Sequence, residues 1–265
     1  MTVPPRGDDP PIPPAPPAGG KGGEWTLAEL CVVACAEAWR GDGAILASPM
    51  GLIPTLGARL ARLTFAPDLL VTDGEAMLIA PDGETTEGWL PYRDVLRLVA
   101  TGRRHMMMGA AQLDRYGNQN ISCIGPWDRP KAQLIGVRGA PGNTVNDPVS
   151  YWVPRHSPRV LTERVDLVCG VGYDRAATLA GRGAGFHELR VVVTNRAVLD
   201  FATPDHRMRL RSVHPGGLVK EIKELTGFDL AVPADVPETR RPAAHELELI
   251  RERLDPGGLR ERELG

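Results

Sequence analysis

The chain has 265 residues, 42% of them hydrophobic and 24% charged, with 31 Lys and Arg against 33 Asp and Glu. That is enough material for one large globular domain or two small ones, and a net charge of −2 argues against a nucleic-acid or membrane-surface protein. No apolar run approaches the roughly 18 residues of a membrane span, and the N-terminus lacks the apolar stretch of a signal peptide.

Residues 1–23 hold eight prolines and five glycines. They cannot bury enough apolar surface to offset the entropy of ordering, so they are expected to form a disordered tail. The folded part begins at Thr26. In "TLAELCVVACAEAWR", Thr26 is the N-cap and Glu29, three residues on, completes a capping-box pattern. "GAILAS" reads as a strand, and "IPTLGARLARLTF" as a helix with Pro54 near its first turn. "PDLLVT" is a strand and "MLIA" a candidate for another. "YRDVLRLVATG" is a helix closed by Gly102. "RHMMMGAAQ" reads as a strand, "DRYGN" as a turn, and "QNISCIG", "AQLIGVRG", "RVDLVCGVG", "LRVVVTN" and "AVLDFA" as further strands. "GLVKEIKELTGFDL" is an amphipathic helix ending at Gly227, and "AAHELELIRERL" a last, highly charged one. Alternating helices and strands early, with strands clustered late, predict a layered α/β fold with a mixed sheet. The expected layout is one domain over residues 24–231 and a C-terminal helical tail over 232–265. Cys31, Cys35, Cys123 and Cys169 read as reduced core thiols of a cytoplasmic protein.

The six histidines show no i, i+4 pair and no Cys-x-x-Cys accompanies them, so no metal site is expected. The chain has no G-x-S-x-G, no Walker A motif and no G-x-G-x-x-G. Ligands in α/β sheets collect where strands end, which directs attention to three glycine-containing turns. "SPMGLIP" precedes a helix, whose free N–H groups suit an anion, although a plain connection fits as well. "VTDGEA" carries Asp73, Gly74 and Glu75. An Asp-Gly hairpin turn accounts for it, and so does a loop presenting two carboxylates. The third is the pair "QLDRYGNQN" and "GVRGAPGN". Asn118 and Asn120 lie two apart and share a face if extended, so two amides facing a cleft would orient a carbonyl. Gly139, Gly142 and Asn143 sit in a short loop where backbone N–H groups can approach a substrate closely, as an oxyanion hole requires. A tight loop without a ligand is the alternative.

Together, "ASPMGLIPTLGARLARLTFAPDLLVTDGE", "MMMGAAQLDRYGNQNIS" and "GVRGAPGN" resemble the β subunits of class I CoA-transferases, and "HPG" with "VKEIKELTGFDL" resembles that family's C-terminal segment. The resemblance covers about residues 26–231, and its most specific piece runs from Gly109 to Asn120. It implies a layered α/β fold with a mixed, largely parallel sheet. It also implies an α-subunit partner in an α2β2 assembly, an active site between the two, and an acyl-CoA thioester as substrate with no bound cofactor. A transferase β subunit carries a nucleophilic glutamate in a Glu-x-Gly setting. Here that setting reads Thr72-Asp73-Gly74, so threonine stands in the nucleophile's place. Asp73 is offset by one residue and Glu75 lies beyond the glycine.

The wording "SPM", "TDGEA", "VDLVCGVGYD" and "PDHRMR" narrows the resemblance to members of this family that open a steroid-derived ring by hydrolysis. Such a reaction implies retro-Claisen cleavage of a cyclic β-keto acyl-CoA, with the base on the α subunit. Asn118, Asn120 and the loop from Gly139 to Asn143 would then hold the thioester oxygen. Thr72, Asp73, Gly74 and Glu75 would border water and substrate. Arg103, Arg104 or Lys131 would meet CoA phosphates, unless they are solvated surface charges. A CoA-transferase using Asp73 or Glu75, and a non-catalytic stabilising subunit, are the competing expectations.

Overall fold

The computed structural model describes residues 24–74, 76–101, 103–179 and 186–264. The expected tail at 1–23, the stop at Gly102 and the candidate Glu75 lie outside them.

Helix α1 (Leu27–Glu37) starts at the predicted capping box: Thr26 Oγ1 accepts from the Glu29 N–H at 3.2 Å, and the Thr26 N–H donates to Glu29 at 2.9 Å. Strand β1 (Leu46–Pro49), helix α2 (Leu52–Thr64) and strand β2 (Leu70–Thr72) form a parallel crossover. Then come β3 (Met77–Ile79), β4 (Thr86–Trp89), α3 (Tyr92–Leu98) and β5 (Arg104–Gly109). Two small hairpins follow, β6 (Gln112–Leu113) with β7 (Gln119–Asn120), and β8 (Cys123–Ile124) with β9 (Ala132–Gln133). After α4 (Ala140–Asn146) run β10 (Pro148–Val153), α5 (Tyr173–Ala176), β11 (Glu188–Thr194), β12 (Ala197–Asp200), β13 (Arg209–Val213) and α6 (Val219–Glu224). The chain closes with α7 (Ala244–Glu248), a π-helical turn (Leu249–Leu254) and α8 (Glu261–Leu264).

Among the described residues the main sheet has nine strands, in the order β13-β12-β11-β10-β5-β1-β2-β3-β4. Its centre is parallel from β11 to β2, and both edges are antiparallel. Alternate side chains face opposite layers. Ala47, Val71, Met107, Trp152 and Val193 pack with α1 and α2 on one face. Met106, Met108, Tyr151, Val192 and Leu199 pack with Ile222 and Phe228 on the other. The expected mixed α/β sheet is therefore present. Among the described residues no helix is long and apolar enough to cross a membrane.

Three local expectations fail. "AQLIGVRG" supplies only the two residues of β9, and the glycine loop after it is the short helix α4, opened by Gly139 with Pro141 in its first turn. "RVDLVCGVG" is irregular and contributes an isolated bridge, Gly170 to Gln119. The last charged helix stops being α-helical at Leu249, where the π turn begins. That turn buries Ile250 and Leu254 in the α1–α2 cluster, a tertiary demand the local pattern does not carry.

Candidate functional site

The parallel strands β1, β2, β5 and β10 end side by side. A cavity of about 330 Å³ opens there, bounded by Met50 and Gly51 after β1, Gly74 after β2, Gly109 closing β5 and Pro154 after β10. Strand ends of an open α/β sheet are where backbone groups stand free of the ladder. The apolar wall comes from Val95 and Val99 of α3 and from Met106 and Met108 of β5. Arg104, Gln119, Arg138, Asn143 and Glu263 bring the polar groups.

The "VTDGEA" stretch is a hairpin connection between β2 and β3, with Thr72 opposite Leu78. Asp73 holds it: its carboxylate accepts from the Ala76 N–H at 3.0 Å and the Met77 N–H at 3.1 Å. Thr72 is 3% exposed. Its hydroxyl accepts from the Gly74 N–H at 3.1 Å and shares its proton between Ser48 Oγ at 3.2 Å and the Ala47 carbonyl at 3.3 Å. Among the described residues of this turn, Gly74 reaches the cavity wall. It has φ +95°, and a Cβ there would lie 2.5 Å from the Pro49 carbonyl, so only glycine fits.

The paired arginines separate. Arg103 is exposed, whereas Arg104 is buried, lines the cavity and donates from Nε to Ser48 Oγ at 2.8 Å. A chain of groups thus runs from Arg104 through Ser48 to Thr72. Beside Arg104 lies Asp147, at 0% exposure, with no hydrogen-bond partner of normal geometry on either oxygen. Burial pushes its pKa up to about 7 against the opposing pull of Arg104. Lys131 is exposed on the β8–β9 connection and is not among the cavity-lining residues.

Asn118 and Asn120 do share a side, but both are consumed inside the loop. Asn118, 1% exposed, donates to Asp114 and Asp174 at 2.8 Å each, and accepts from the Gly172 N–H at 2.8 Å. Asn120, 0% exposed, donates to Gln112 and the Cys123 carbonyl at 2.7 Å each, and accepts from the Ser122 N–H at 3.0 Å. The expectation that these amides face the cleft is corrected: Gln119, between them, is the residue that lines it. Its Nε2 donates to the Gly109 carbonyl at 2.7 Å, and its Oε1 has no partner. Gly139 and Asn143 also line the cavity, and Asn143 keeps an unpartnered Oδ1. Gly142 does not line it; a Cβ there would lie 2.9 Å from Val99, so this glycine lets α4 approach α3.

Gln119, Asp147 and Glu263 escaped the sequence reading. Alternation along β7 carried the signal for Gln119, because it sends residue 119 opposite to 118 and 120. No local signal pointed to the other two.

One further cluster has the connectivity of a nucleophilic triad. His105 Nε2 lies 2.9 Å from Ser150 Oγ and Nδ1 lies 2.7 Å from Asp42. Ser150 and His105 are fully buried and neither lines the cavity, so the cluster is structural.

No protein-family model matches the chain. The fold is that of glutaconate coenzyme A-transferase from Acidaminococcus fermentans, with a TM-score of 0.75 at 23% identity over 88% of this chain and 96% of that one. The molecule is therefore a CoA-transferase-fold protein. The match to the crystal structure of Rhodococcus jostii RHA1 IpdAB is closer, with a TM-score of 0.87 at 51% identity over 91% of this chain and 99% of the matched chain. The cholesterol ring-cleaving hydrolase IpdB subunit of Rhodococcus jostii is 51% identical over 246 residues, 91% of this chain and 97% of that protein. The chain belongs to the family of cholesterol ring-cleaving hydrolase IpdB subunits.

Proposed function

We propose that this chain is the β subunit of a hydrolase that opens the last steroid ring of a cyclic β-keto acyl-CoA, together with an α subunit in an α2β2 assembly. One observation carries the reading beyond the family relationship. At the end of β2 the hydroxyl of Thr72 is sealed and hydrogen-bonded, and the Asp73 carboxylate is turned into its own hairpin. Among the described residues that turn presents no nucleophile to the cavity, so neither Thr72 nor Asp73 is placed to form an acyl-enzyme anhydride. Hydrolysis needs none. Water adds to the ring ketone and the ring C–C bond breaks. The ketone carbon becomes a carboxylate, and the electron pair passes to the thioester enolate, which then takes up a proton. The α subunit supplies the base. This chain supplies the apolar wall and the Arg104 charge, and the free oxygens of Gln119 and Asn143 are acceptors for the attacking water. Asn118 and Asn120 act one step back by fixing the loop that carries Gln119. Arg138, at the wall, is better placed than Arg103 or Lys131 to meet the CoA portion. A cytoplasmic location is part of this reading, supported by four buried free thiols.

The test uses the chain co-purified with its α partner, a cyclic β-keto acyl-CoA, and ¹⁸O-labelled water. Ring opening should place one ¹⁸O in the new carboxylate and leave no hydroxylamine-sensitive adduct on this chain. Full activity of the chain alone, or a CoA thioester trapped on it, would sink the reading.

A further inference from the structure

The end of the chain returns to the cavity. Helix α2 has 13 residues and its N-cap, Gly51, has no side chain to offer its first turn. Glu263, from α8, takes that role. Its Oε2 accepts from the Ile53 N–H at 3.1 Å and its Oε1 from the Trp152 indole N–H at 2.6 Å. The carboxylate forms part of the cavity wall, beside Gly51 and Trp152. The residues just before Glu263 are tied down. Glu261 accepts from the Thr26 hydroxyl at 2.6 Å, and Arg260 donates to buried Glu29 at 2.8 Å and to Asp255 at 3.0 Å. A carboxylate held at once by a helix N-terminus and an indole N–H has the contacts that a free carboxylic acid would make at the same place.

We propose that Glu263 is a specificity-determining residue: it fills, from within the chain, the carboxylate seat of this cavity, so that the site admits an acyl thioester and water but no second acid as acyl acceptor. The inference rests on the reading of this cavity as the acyl-CoA site. Transfer of CoA between acids requires a free acid to sit beside the thioester. With the seat at α2 filled, and the Thr72 hydroxyl sealed by its own hydrogen bonds, water is the acceptor left.

The test uses acetate as the probe and the αβ complex as the protein. Glu263→Ala should melt below the wild type and regain stability as acetate is added at constant ionic strength, in a saturable way. The indole N–H resonance of Trp152 should shift with the same midpoint. The wild type should show no saturable response over the acetate range that saturates the variant, a loss of about tenfold or more when one charge-assisted carboxylate contact is already taken. Glu263→Gln keeps the seat filled and should ignore acetate as the wild type does. Equal responses in wild type and Glu263→Ala, or none in Glu263→Ala, overturn the proposal. If Glu263→Ala does not assemble, a saturable acetate shift in the wild type or in Glu263→Gln overturns it. These readouts do not involve turnover. A complex that shows the acetate difference yet leaves the cyclic thioester intact would refute the catalytic reading alone. Normal ring opening without the acetate difference would refute the seat alone.

Discussion

Asp147→Asn tests the electrostatics behind cavity-lining Arg104. Asp147 is fully buried beside Arg104, and burial raises its pKa from 3.8 to about 7. Between those two values the native chain holds a proton that the unfolded chain has released. Stability therefore falls as pH rises through that window and levels off above about 7. At about 1.4 kcal/mol per pH unit, the window amounts to roughly 4 kcal/mol, a ceiling that water reaching the carboxyl would lower. Asparagine imitates the protonated acid, so the variant should match the wild type near pH 4 and exceed it increasingly toward pH 8. The assay is a series of thermal melts of the complex across that range, read as variant minus wild type. A difference that stays constant with pH would refute the assignment, because it would mean that Asp147 is ionised throughout.

Two further substitutions probe the frame. Gly74→Ala forces a Cβ to within 2.5 Å of the Pro49 carbonyl at φ +95°; it should cost about 2 kcal/mol or more and lower turnover, and an unchanged Tm would show that the turn adapts freely. Arg260→Ala removes one of two guanidinium partners of Glu29, a residue that is 0% exposed. Burial raises the Glu29 pKa, but the Arg251 bond, the Thr26 N–H and the charges of Arg251 and Arg260 outweigh it and leave it lowered. Its stabilisation is present above the ordinary glutamate value of 4.5 and is lost as pH falls through the lower native value. The variant should lose roughly 2–3 kcal/mol at neutral pH, less in acid, and residues 255–264 should exchange amide hydrogens faster. Unchanged exchange there would show that the pair does not anchor the C-terminal segment.

Where the sequence was informative, the signal was local. Thr26 and Glu29 announce α1 because both halves of a capping box lie within one turn. Asp73-Gly74 announces a hairpin because glycine supplies the positive φ that the turn needs. Central strand β10 is less legible. "PVSYWV" mixes proline, serine and aromatics, and becomes a strand because β5 and β11 flank it. "RVDLVCGVG" errs the other way: Val165 and Cys169 are buried and Leu167, Val168 and Val171 half-buried, but among the described residues its pairing is a single bridge, Gly170 to Gln119. At the site, period-two alternation correctly pairs Asn118 with Asn120. Which side meets the cavity depends on how the loop docks against Gly172 and Asp174, more than fifty positions away. The contact of Glu263 with Ile53 spans 210 positions, beyond any motif.

Thr72 gains its meaning from what surrounds it. Two neutral hydroxyls, Ser48 and Thr72, stand in line from Arg104 to the β2–β3 turn. A carboxylate at position 72 would set a negative charge on that line and offset the guanidinium across Ser48. With threonine there, and with Asp147 protonated below about pH 7, neither of these two neighbours offsets the charge of cavity-lining Arg104. A positive charge at the cavity wall favours a group that becomes anionic during the reaction. In ring opening by water that group is the thioester enolate. In acyl transfer through an enzyme anhydride, the negative charge would instead have to begin on the protein as a reactive carboxylate. Glu263 places the one cavity-lining carboxylate among the described residues at the start of α2, with both oxygens already accepting hydrogen bonds. Charge placement, more than the absence of a single nucleophile, is what turns this form of the fold toward hydrolysis.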